Sequence, residues 1–123
     1  MKILAIGAHP DDIEIFMFGL LKVFQKRGDQ IFSIVATDGA LGGDKKGEKL
    51  KIKRKHETLS GLKNLSKPIF LDIPDGELGD NPQHKTKLKK NILNIMPDLI
   101  ITHSCNDYHA DHRSLSLLIS SAI

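Results

Sequence analysis

The sequence lacks tryptophan, contains one tyrosine, and has a single cysteine, Cys105, among its 123 residues. One cysteine excludes an intramolecular disulfide, and a thiolate metal site is not expected because no second cysteine can join it. Both points favour a reducing, cytoplasmic location. Cys105 itself is expected to be a small structural residue, because no base is evidently paired with its thiol.

Long apolar runs are also missing. Residues 3–8 form an apolar segment that is too short for a secretory leader and runs directly into a polar tetrapeptide. Nowhere does the sequence approach the roughly 20 consecutive apolar residues that a membrane span needs. We therefore expect no membrane span in this chain.

Charge of one sign is not in large excess. The formal net charge is +3, and much of the positive excess lies in residues 45–55 rather than along the whole chain. Nucleic-acid-binding proteins usually carry a basic face or stripe, so we expect no nucleic-acid partner. A solvated loop and helix face explains the basic segment, although such segments can also hold acidic or phosphorylated substrates.

The sequence does contain an alternation of short β-branched segments with longer segments of helical spacing. Its length and its content of 40% hydrophobic and 27% charged residues indicate one globular domain over residues 1–123. Strands are predicted within residues 2–8, 30–39, 67–73 and 97–103, and helices within residues 13–28, 50–65, 85–96 and 109–123.

This alternation is typical of an α/β fold, here a Rossmann-like three-layer α/β/α arrangement with a mostly parallel sheet. In the strand order 3-2-1-4, strands one and four are neighbours, and the loops at their carboxyl ends diverge to leave a crevice. The first helix presents an apolar stripe that we expect to pack in the core, formed by Ile13, Phe16, Met17, Leu20, Leu21 and Phe24. Residues 38–49 are predicted to form a glycine-rich loop over the strand ends.

Two polar clusters follow the two strands that are expected to be neighbours. His9, Asp11 and Asp12 come directly after the first strand, and residues 107–112 follow the fourth. A helix N-cap would explain one carboxylate of the first cluster, but two carboxylates and an imidazole exceed what one cap requires. In the second cluster His109 and His112 are three residues apart, so they share a face if they lie in a first helical turn.

Histidine and aspartate ligands without cysteine suit a catalytic zinc site, in which three protein ligands leave one position open for water. Zn²⁺ lowers the pKa of bound water to about 7, and a neighbouring carboxylate can take the proton during attack. Two adjacent carboxylates can therefore have two roles, because one binds the metal while the other stays free as a base.

The motifs "AHPDD" after the first strand and "DYHADHR" after the fourth resemble the two signatures of the PIG-L or LmbE-like family of zinc-dependent N-acetylglucosaminyl deacetylases. Between them, "TDGALGG", "KRKHETLSGLKNL" and "IFLDIPDGEL" resemble the family's glycine-containing loop, its Arg-x-x-Glu helix and its Pro-Asp-Gly loop, in that order. The resemblance covers nearly the whole chain and implies the same fold and chemistry.

The resemblance also implies a role for each matching residue. His9, Asp12 and His112 would bind Zn²⁺, and Asp11 would be the general base. His109 would stabilise the oxyanion or protonate the leaving amine, with Asp111 orienting it. By the same match, Arg54 and Asp75 would contact the substrate, an N-acetylated sugar or glycoconjugate that loses its acetyl group.

Family members are usually longer than this chain, with a further region after the second motif. We therefore expect the sequence to be the N-terminal part of a longer, LmbE-like domain that is truncated here. Walls supplied by a second copy are the other arrangement, which leaves a homo-oligomer open. His103 closes the fourth strand and is expected to have a hydrogen-bonded structural role.

Three other readings of the motifs remain open. His-Pro-Asp is also the signature of chaperone J-domains, but there it lies between two helices, whereas an apolar β-branched segment precedes it here. A metal-dependent phosphoesterase would need two metals and more carboxylate ligands than can be assigned. The third reading is a catalytically inactive α/β module that keeps the fold. The identity of the acylated substrate is also left undetermined.

Overall fold

The structure, a computed structural model, describes residues 1–41, 47–79 and 81–123. Four parallel strands form one sheet in the order β3-β2-β1-β4, which confirms the predicted fold class and strand order. The strands are β1 (Lys2–Gly7), β2 (Gln30–Thr37), β3 (Ile69–Ile73) and β4 (Leu99–Ile101). The helices are α1 (Asp12–Phe16), α2 (Phe18–Arg27), α3 (Glu48–Gly61), α4 (Pro82–Ile95) and α5 (Ala110–Ala122).

The core lies on both faces of the sheet. Ile3 and Ala5 of β1 pack with residues of α1 and α2 on one face, whereas Leu4 and Ile6 pack with residues of α4 and α5 on the other. Strands that are buried on both faces need mostly apolar sequence, and this is why hydrophobic residues predominate in β1 and β2. The result is the three-layer arrangement that the sequence predicts.

The first helical segment differs from the prediction. It is divided at Met17 into α1 and α2, and the divided helix buries a narrower stripe than its sequence suggests. Ile13, Met17 and Leu21 are buried, but Phe16 and Leu20 are 61% and 49% exposed, so the expectation that these two pack in the core is wrong. The predicted end of this segment is confirmed, since Gly28 takes the left-handed conformation (φ 100°) that ends α2.

The connections beyond β1 and β4 position the polar clusters. The β1–β4 ladder pairs Ile3 with Leu99 and Ala5 with Ile101. Beyond it, the Thr102 hydroxyl donates to the carbonyl of Ile6 (2.8 Å), and the Ala8 amide donates to Nε2 of His103 (3.1 Å). The two chain segments therefore stay adjacent up to the residues that carry the imidazoles.

Part of the predicted glycine-rich loop, residues 42–46, and Asp80 of the loop before α4 lie outside the described residues. Lys45 and Lys46 of the basic segment are among them. In the described part of the chain, no helix combines the length and the apolar composition that crossing a membrane requires.

Candidate metal centre and active site

A cavity of about 510 Å³ opens at the carboxyl ends of β1 and β4. All eight residues that the sequence analysis singles out line it: His9, Asp11, Asp12, Arg54, Asp75, His109, Asp111 and His112. Side chains from chain positions about 100 residues apart therefore share one site. The chemistry of that site depends on which atoms face each other.

The carboxylate of Asp12 lies at the centre of the imidazoles. Its Oδ2 accepts the backbone N–H of His9 (2.8 Å) and lies 3.3 Å from Nδ1 of His9 and 3.2 Å from Nε2 of His112. Burial favours the neutral form of Asp12, but the hydrogen bond from the His9 backbone and the contact with the His9 ring outweigh burial and hold the pKa of Asp12 well below its ordinary value. Asp12 is therefore ionised and carries negative charge between two imidazoles.

His112 is buried, and its two ring nitrogens lack hydrogen bonds in the described part of the chain. Neither ring nitrogen forms a hydrogen bond within residues 1–41, 47–79 and 81–123, although Nδ1 lies 3.1 Å from Oδ2 of Asp107. The ring stacks on His103 at 3.6 Å between centroids, so its orientation is set by packing. A buried nitrogen without a hydrogen bond beside a carboxylate oxygen fits the role of a cation ligand.

His103 is also close to this centre, with Nε2 3.3 Å from Oδ2 of Asp12. That nitrogen accepts the Ala8 backbone N–H, so its lone pair is already used and it has no proton to donate to Asp12. These contacts support the structural role that is expected of His103. The residue links the segment after β4 to the segment after β1 and stacks on His112.

His9 contacts carboxylates on both sides of its ring. Nε2 lies 2.8 Å from Oδ2 of Asp111 and 3.2 Å from Oδ1 of Asp75, while Nδ1 faces Asp12. Burial acts to lower the pKa of His9, but hydrogen bonds to Asp12 and Asp111 outweigh it, so the pKa lies above its ordinary value. Without a cation, the surrounding negative charge favours a protonated ring.

The donor set fits a zinc-type ion. Three groups of side chains have ligand atoms within 4.8 Å of one another: His9 with His109 and His112, Asp12 with His103 and His112, and His9 with Asp75 and Asp111. His103 Nε2 is engaged by Ala8, whereas Nδ1 of His9 and Nε2 of His112 each face Oδ2 of Asp12, at 3.3 and 3.2 Å. Nitrogen and oxygen donors without thiolate are typical of catalytic zinc sites.

Asp11 is held apart from this group by its backbone. It takes the left-handed conformation (φ 85°), and its amide donates to Oγ1 of Thr58 (3.3 Å). Its side chain is 37% exposed on the cavity wall, with Oδ2 3.6 Å from Nη2 of Arg54. Two adjacent carboxylates thus have different surroundings, one buried among imidazoles and the other accessible beside a guanidinium.

Arg54 fixes the same turn from α3. Its Nη2 donates to the carbonyl of Pro10 (2.8 Å), and its Nη1 donates to the carbonyl of Gly39 (2.8 Å). Gly39 has φ 66°, and a Cβ there would lie 2.7 Å from Nη1 of Arg54, so the site requires glycine at this position. Arg54, which is predicted to contact the sugar, therefore uses two of its N–H donors in hydrogen bonds within the protein.

His109 is the N-cap of α5, where its Nδ1 accepts the backbone N–H of Asp111 (3.1 Å). A neutral ring that accepts at Nδ1 carries its proton on Nε2. Asp111 thus contacts His109 through its backbone, while its carboxylate contacts His9 rather than the ring it is predicted to orient.

Several contributing residues were not assigned a role from the sequence. Asp107 accepts the His109 backbone N–H (2.9 Å) and lies against His112, and its pKa is lowered by that backbone hydrogen bond and by His112 despite burial. An aspartate two residues before the donor it caps is a recognisable turn signal. Thr58 and Glu14 gave no signal, because they meet across 44 residues of chain.

Comparison with known proteins places these observations in a family. The family model described as "PIG-L: GlcNAc-PI de-N-acetylase" matches residues 4–123. Diacetylchitobiose deacetylase from Thermococcus kodakarensis is 28% identical over 99% of this chain and 49% of its own length. The chain thus spans about half the length of this relative.

Solved structures share the fold. N,N'-diacetylchitobiose deacetylase from Pyrococcus horikoshii, in complex with its inhibitor MPG, matches with a TM-score of 0.91 and 26% identity over 98% of this chain and 48% of its own. GalB, the 4-carboxy-2-hydroxymuconate hydratase from Pseudomonas putida KT2440, matches with a TM-score of 0.87 and 23% identity over 98% of this chain and 55% of its own. The fold is thus compatible with more than one reaction, and the site has to decide between them.

Proposed function

The chain belongs to the PIG-L family, and from this premise we propose that it supplies the metal-binding part of an enzyme that hydrolyses an N-acetyl group. The proposed substrate is an N-acetylglucosamine-type sugar or glycoconjugate, and the products are acetate and a free amine. The observation that carries the proposal is the convergence of His9 and His112 on one carboxylate oxygen of Asp12, at 3.3 and 3.2 Å. We treat residues 1–123 as one domain in this proposal.

His9, Asp12 and His112 are the proposed ligands of Zn²⁺. When bound, the ion would polarise the acetyl carbonyl as a Lewis acid and lower the pKa of a coordinated water. The protein contributes an ionised carboxylate at Asp12 and two imidazoles whose orientations are fixed by stacking and hydrogen bonds.

Asp11 is the proposed general base. Its carboxylate is accessible at the cavity wall and adjacent to the ligand Asp12 in the chain, so it can take a proton from the attacking water. The guanidinium of Arg54 provides positive charge beside it, and the hydrogen bonds of Arg54 and Thr58 hold the turn in place.

His109 is the proposed electrophilic and acid group. Since its Nδ1 accepts a backbone N–H, the neutral ring offers Nε2–H as a donor for the developing oxyanion. To give a proton to the leaving amine and stay neutral, the ring would have to release the Asp111 N–H and take up a proton at Nδ1. Asp111 supports it through the α5 backbone, and Arg54 lines the cavity with N–H donors beyond the two it uses, which can meet a sugar hydroxyl.

A metal-dependent phosphoesterase is the second candidate, and one observation favours it. His9, Asp75 and Asp111 form another group of close ligand atoms, so a second cation has donors available among the described residues. The alternative predicts two metal ions per chain, whereas the deacetylase predicts one.

The deciding experiment measures bound metal and amine release together. The 123-residue chain, and any longer form of the protein, would be loaded with zinc, analysed for metal stoichiometry, and assayed against a panel of N-acetylated sugars with an amine-detecting reagent. One zinc per chain and amine release support the proposal. Two metals with phosphoesterase activity, or zinc binding without amine release in any form of the protein, would contradict it. The cytoplasmic location, the absence of a nucleic-acid partner and the oligomeric state stay predictions.

A further inference from the structure

We propose that Asp75 and Asp111 are positioning residues that hold His9 in the orientation and tautomer needed to bind the cation through Nδ1. This inference rests on the proposed function in that it takes His9 as a metal ligand. It gives Asp75 a task other than contact with the sugar, and it gives the carboxylate of Asp111 a task other than orienting His109.

The first evidence for this role comes from the contacts of the Asp75 carboxylate. Its side chain is only 9% exposed, and both carboxylate oxygens have partners within the protein. Oδ1 lies 3.2 Å from Nε2 of His9, and Oδ2 accepts the backbone N–H of Leu41 (3.0 Å). Each oxygen therefore already has one partner within the protein, and the burial of the side chain restricts the approach of a sugar hydroxyl.

The backbone around Asp75 is also fixed from two other parts of the fold. The Asp75 amide donates to Oδ1 of the buried Asp38 at the end of β2 (3.1 Å). The next amide, that of Gly76, donates to Oδ2 of Asp111 in α5 (3.2 Å). The position of the carboxylate is therefore set by packing and does not depend on a ligand.

The imidazole ring of His9 has two nitrogens, and the groups that contact each nitrogen decide which of the two carries the proton. Nε2 faces the carboxylates of Asp75 and Asp111, which accept hydrogen bonds but cannot donate them when ionised. Nδ1 also faces a carboxylate, that of Asp12, but at 3.3 Å, whereas Nε2 lies 2.8 Å from Asp111 and 3.2 Å from Asp75. The two acceptors and the shorter distance at Nε2 favour the proton of the neutral ring on that nitrogen, which leaves the lone pair of Nδ1 directed towards Asp12. Carboxylates behind a ligating histidine fix its tautomer and raise its basicity, and their loss typically lowers metal affinity about 10- to 100-fold.

The first test measures zinc affinity by competition with a chromogenic chelator. We expect Asp75→Ala and Asp111→Ala to bind zinc about 10- to 100-fold more weakly than the parent chain. The zinc affinity of Asp75→Asn should lie between that of the alanine variants and that of the parent, because asparagine keeps one acceptor oxygen. Glu77→Ala is the matched control, since it removes an exposed acid from the same loop. Unchanged affinity in Asp75→Ala, with a raised KM at saturating zinc, would overturn the inference and favour a sugar contact.

The second test does not need the metal. The ¹⁵N shifts of the His9 ring, recorded on the metal-free protein at about pH 9, report which nitrogen carries the proton. We expect Nε2–H in the parent and a mixture of tautomers in Asp75→Asn and Asp111→Asn, which keep the shape of the side chain. An unchanged tautomer in both variants would contradict the inference. If the parent binds no zinc, the proposed function fails, and the tautomer still decides this inference.

Discussion

At the scale of single residues, Asp11 and Asp12 show how two adjacent aspartates acquire different surroundings. They are adjacent in the chain, yet Asp12 is buried against imidazoles while Asp11, in the left-handed conformation, faces the cavity beside Arg54. The backbone angle at Asp11 directs successive side chains into different surroundings. The proposed ligand Asp12 and the proposed base Asp11 can thus be neighbours without competing for one position.

This difference predicts separable effects of substitution. Asp11→Asn should keep one zinc per chain but lose about 10²- to 10⁴-fold in turnover, because an amide cannot take a proton from water. His9→Ala and His112→Ala should lose the zinc itself. Metal analysis and the amine-release assay, run on the same preparations, measure both effects. An Asp11→Asn variant as active as the parent would show that the base lies elsewhere.

The ionisation of the Glu14 carboxyl group should affect the stability of the protein. Burial raises its pKa, and its Oε1 has no hydrogen-bond partner among the described residues. A carboxyl whose pKa is raised on folding stabilises the protein fully below its unfolded pKa, and that stability is lost as the pH rises through the folded pKa. The loss should therefore begin near pH 4.5, the ordinary value, and continue upward.

Glu14→Gln should remove this pH dependence. We expect the melting temperature of the variant to exceed that of the parent by an amount that grows as the pH rises from about 4.5 towards neutrality. Thermal unfolding of the metal-free protein across this range measures it. The exposed Glu57→Gln serves as the control and should show a constant difference. A constant difference for Glu14→Gln as well would contradict the assignment.

At the scale of elements, one face of α3 supports the turn that carries the acids. Arg54, Thr58 and Gly61 are four and three residues apart, so they share that face. Thr58 accepts the Asp11 amide and donates to Oε2 of Glu14 (3.1 Å), and a Cβ at Gly61 would lie 3.0 Å from Cγ of Glu14. The strained conformation of Asp11 is therefore maintained by a helix that comes later in the chain.

Thr58→Val tests this support. The change keeps the volume but leaves the Asp11 amide and Glu14 without the hydroxyl, which should lower the free energy of unfolding by about 1–3 kcal/mol. Turnover should fall while zinc affinity stays near that of the parent, because Asp11 is displaced and the ligands are not. Denaturant unfolding, kcat and chelator competition measure the three quantities.

Thr58→Ser is the matched variant, since it keeps the hydroxyl and loses only a buried methyl group, at a cost of about 1 kcal/mol. It should retain most of the turnover. Equal turnover in the serine and valine variants would mean that the hydroxyl does not position Asp11.

At the scale of the whole molecule, the site joins parts of the chain that are far apart in sequence. The Ala8–His103 hydrogen bond and the His9–Asp111 contact span 95 and 102 residues. A cation at His9, Asp12 and His112 would therefore bind the end of β1 and the start of α5 together. Binding energy at such a site is also folding energy.

Zinc should accordingly raise the global stability. At a free zinc concentration 100 times the dissociation constant, the gain is about 2.7 kcal/mol if the unfolded chain does not bind. The melting temperature measured with zinc and with excess EDTA gives the comparison, and His112→Ala should show no difference between them. A similar zinc effect in His112→Ala would mean that the ion binds elsewhere.

The sequence alone determined the parallel α/β fold class and the edge of the sheet at which the polar residues gather. Alternating β-branched and helical segments predict a parallel sheet, and the carboxyl ends of parallel strands meet at one edge, so the two motifs could be placed together before any atom was located. For the same reason all eight predicted site residues line one cavity. Their individual roles stay predictions.

Only the tertiary structure decided which atoms face each other. Local patterns encode helices, strands and caps, because these depend on neighbours in the chain, but the two sides of the His9 ring are defined by Asp12 nearby and by Asp75 and Asp111 from distant elements. The exposure of Phe16 and Leu20, against the prediction from helical periodicity, has the same origin. Periodicity identifies an apolar stripe, and the packing of the neighbouring layers determines how much of that stripe is covered.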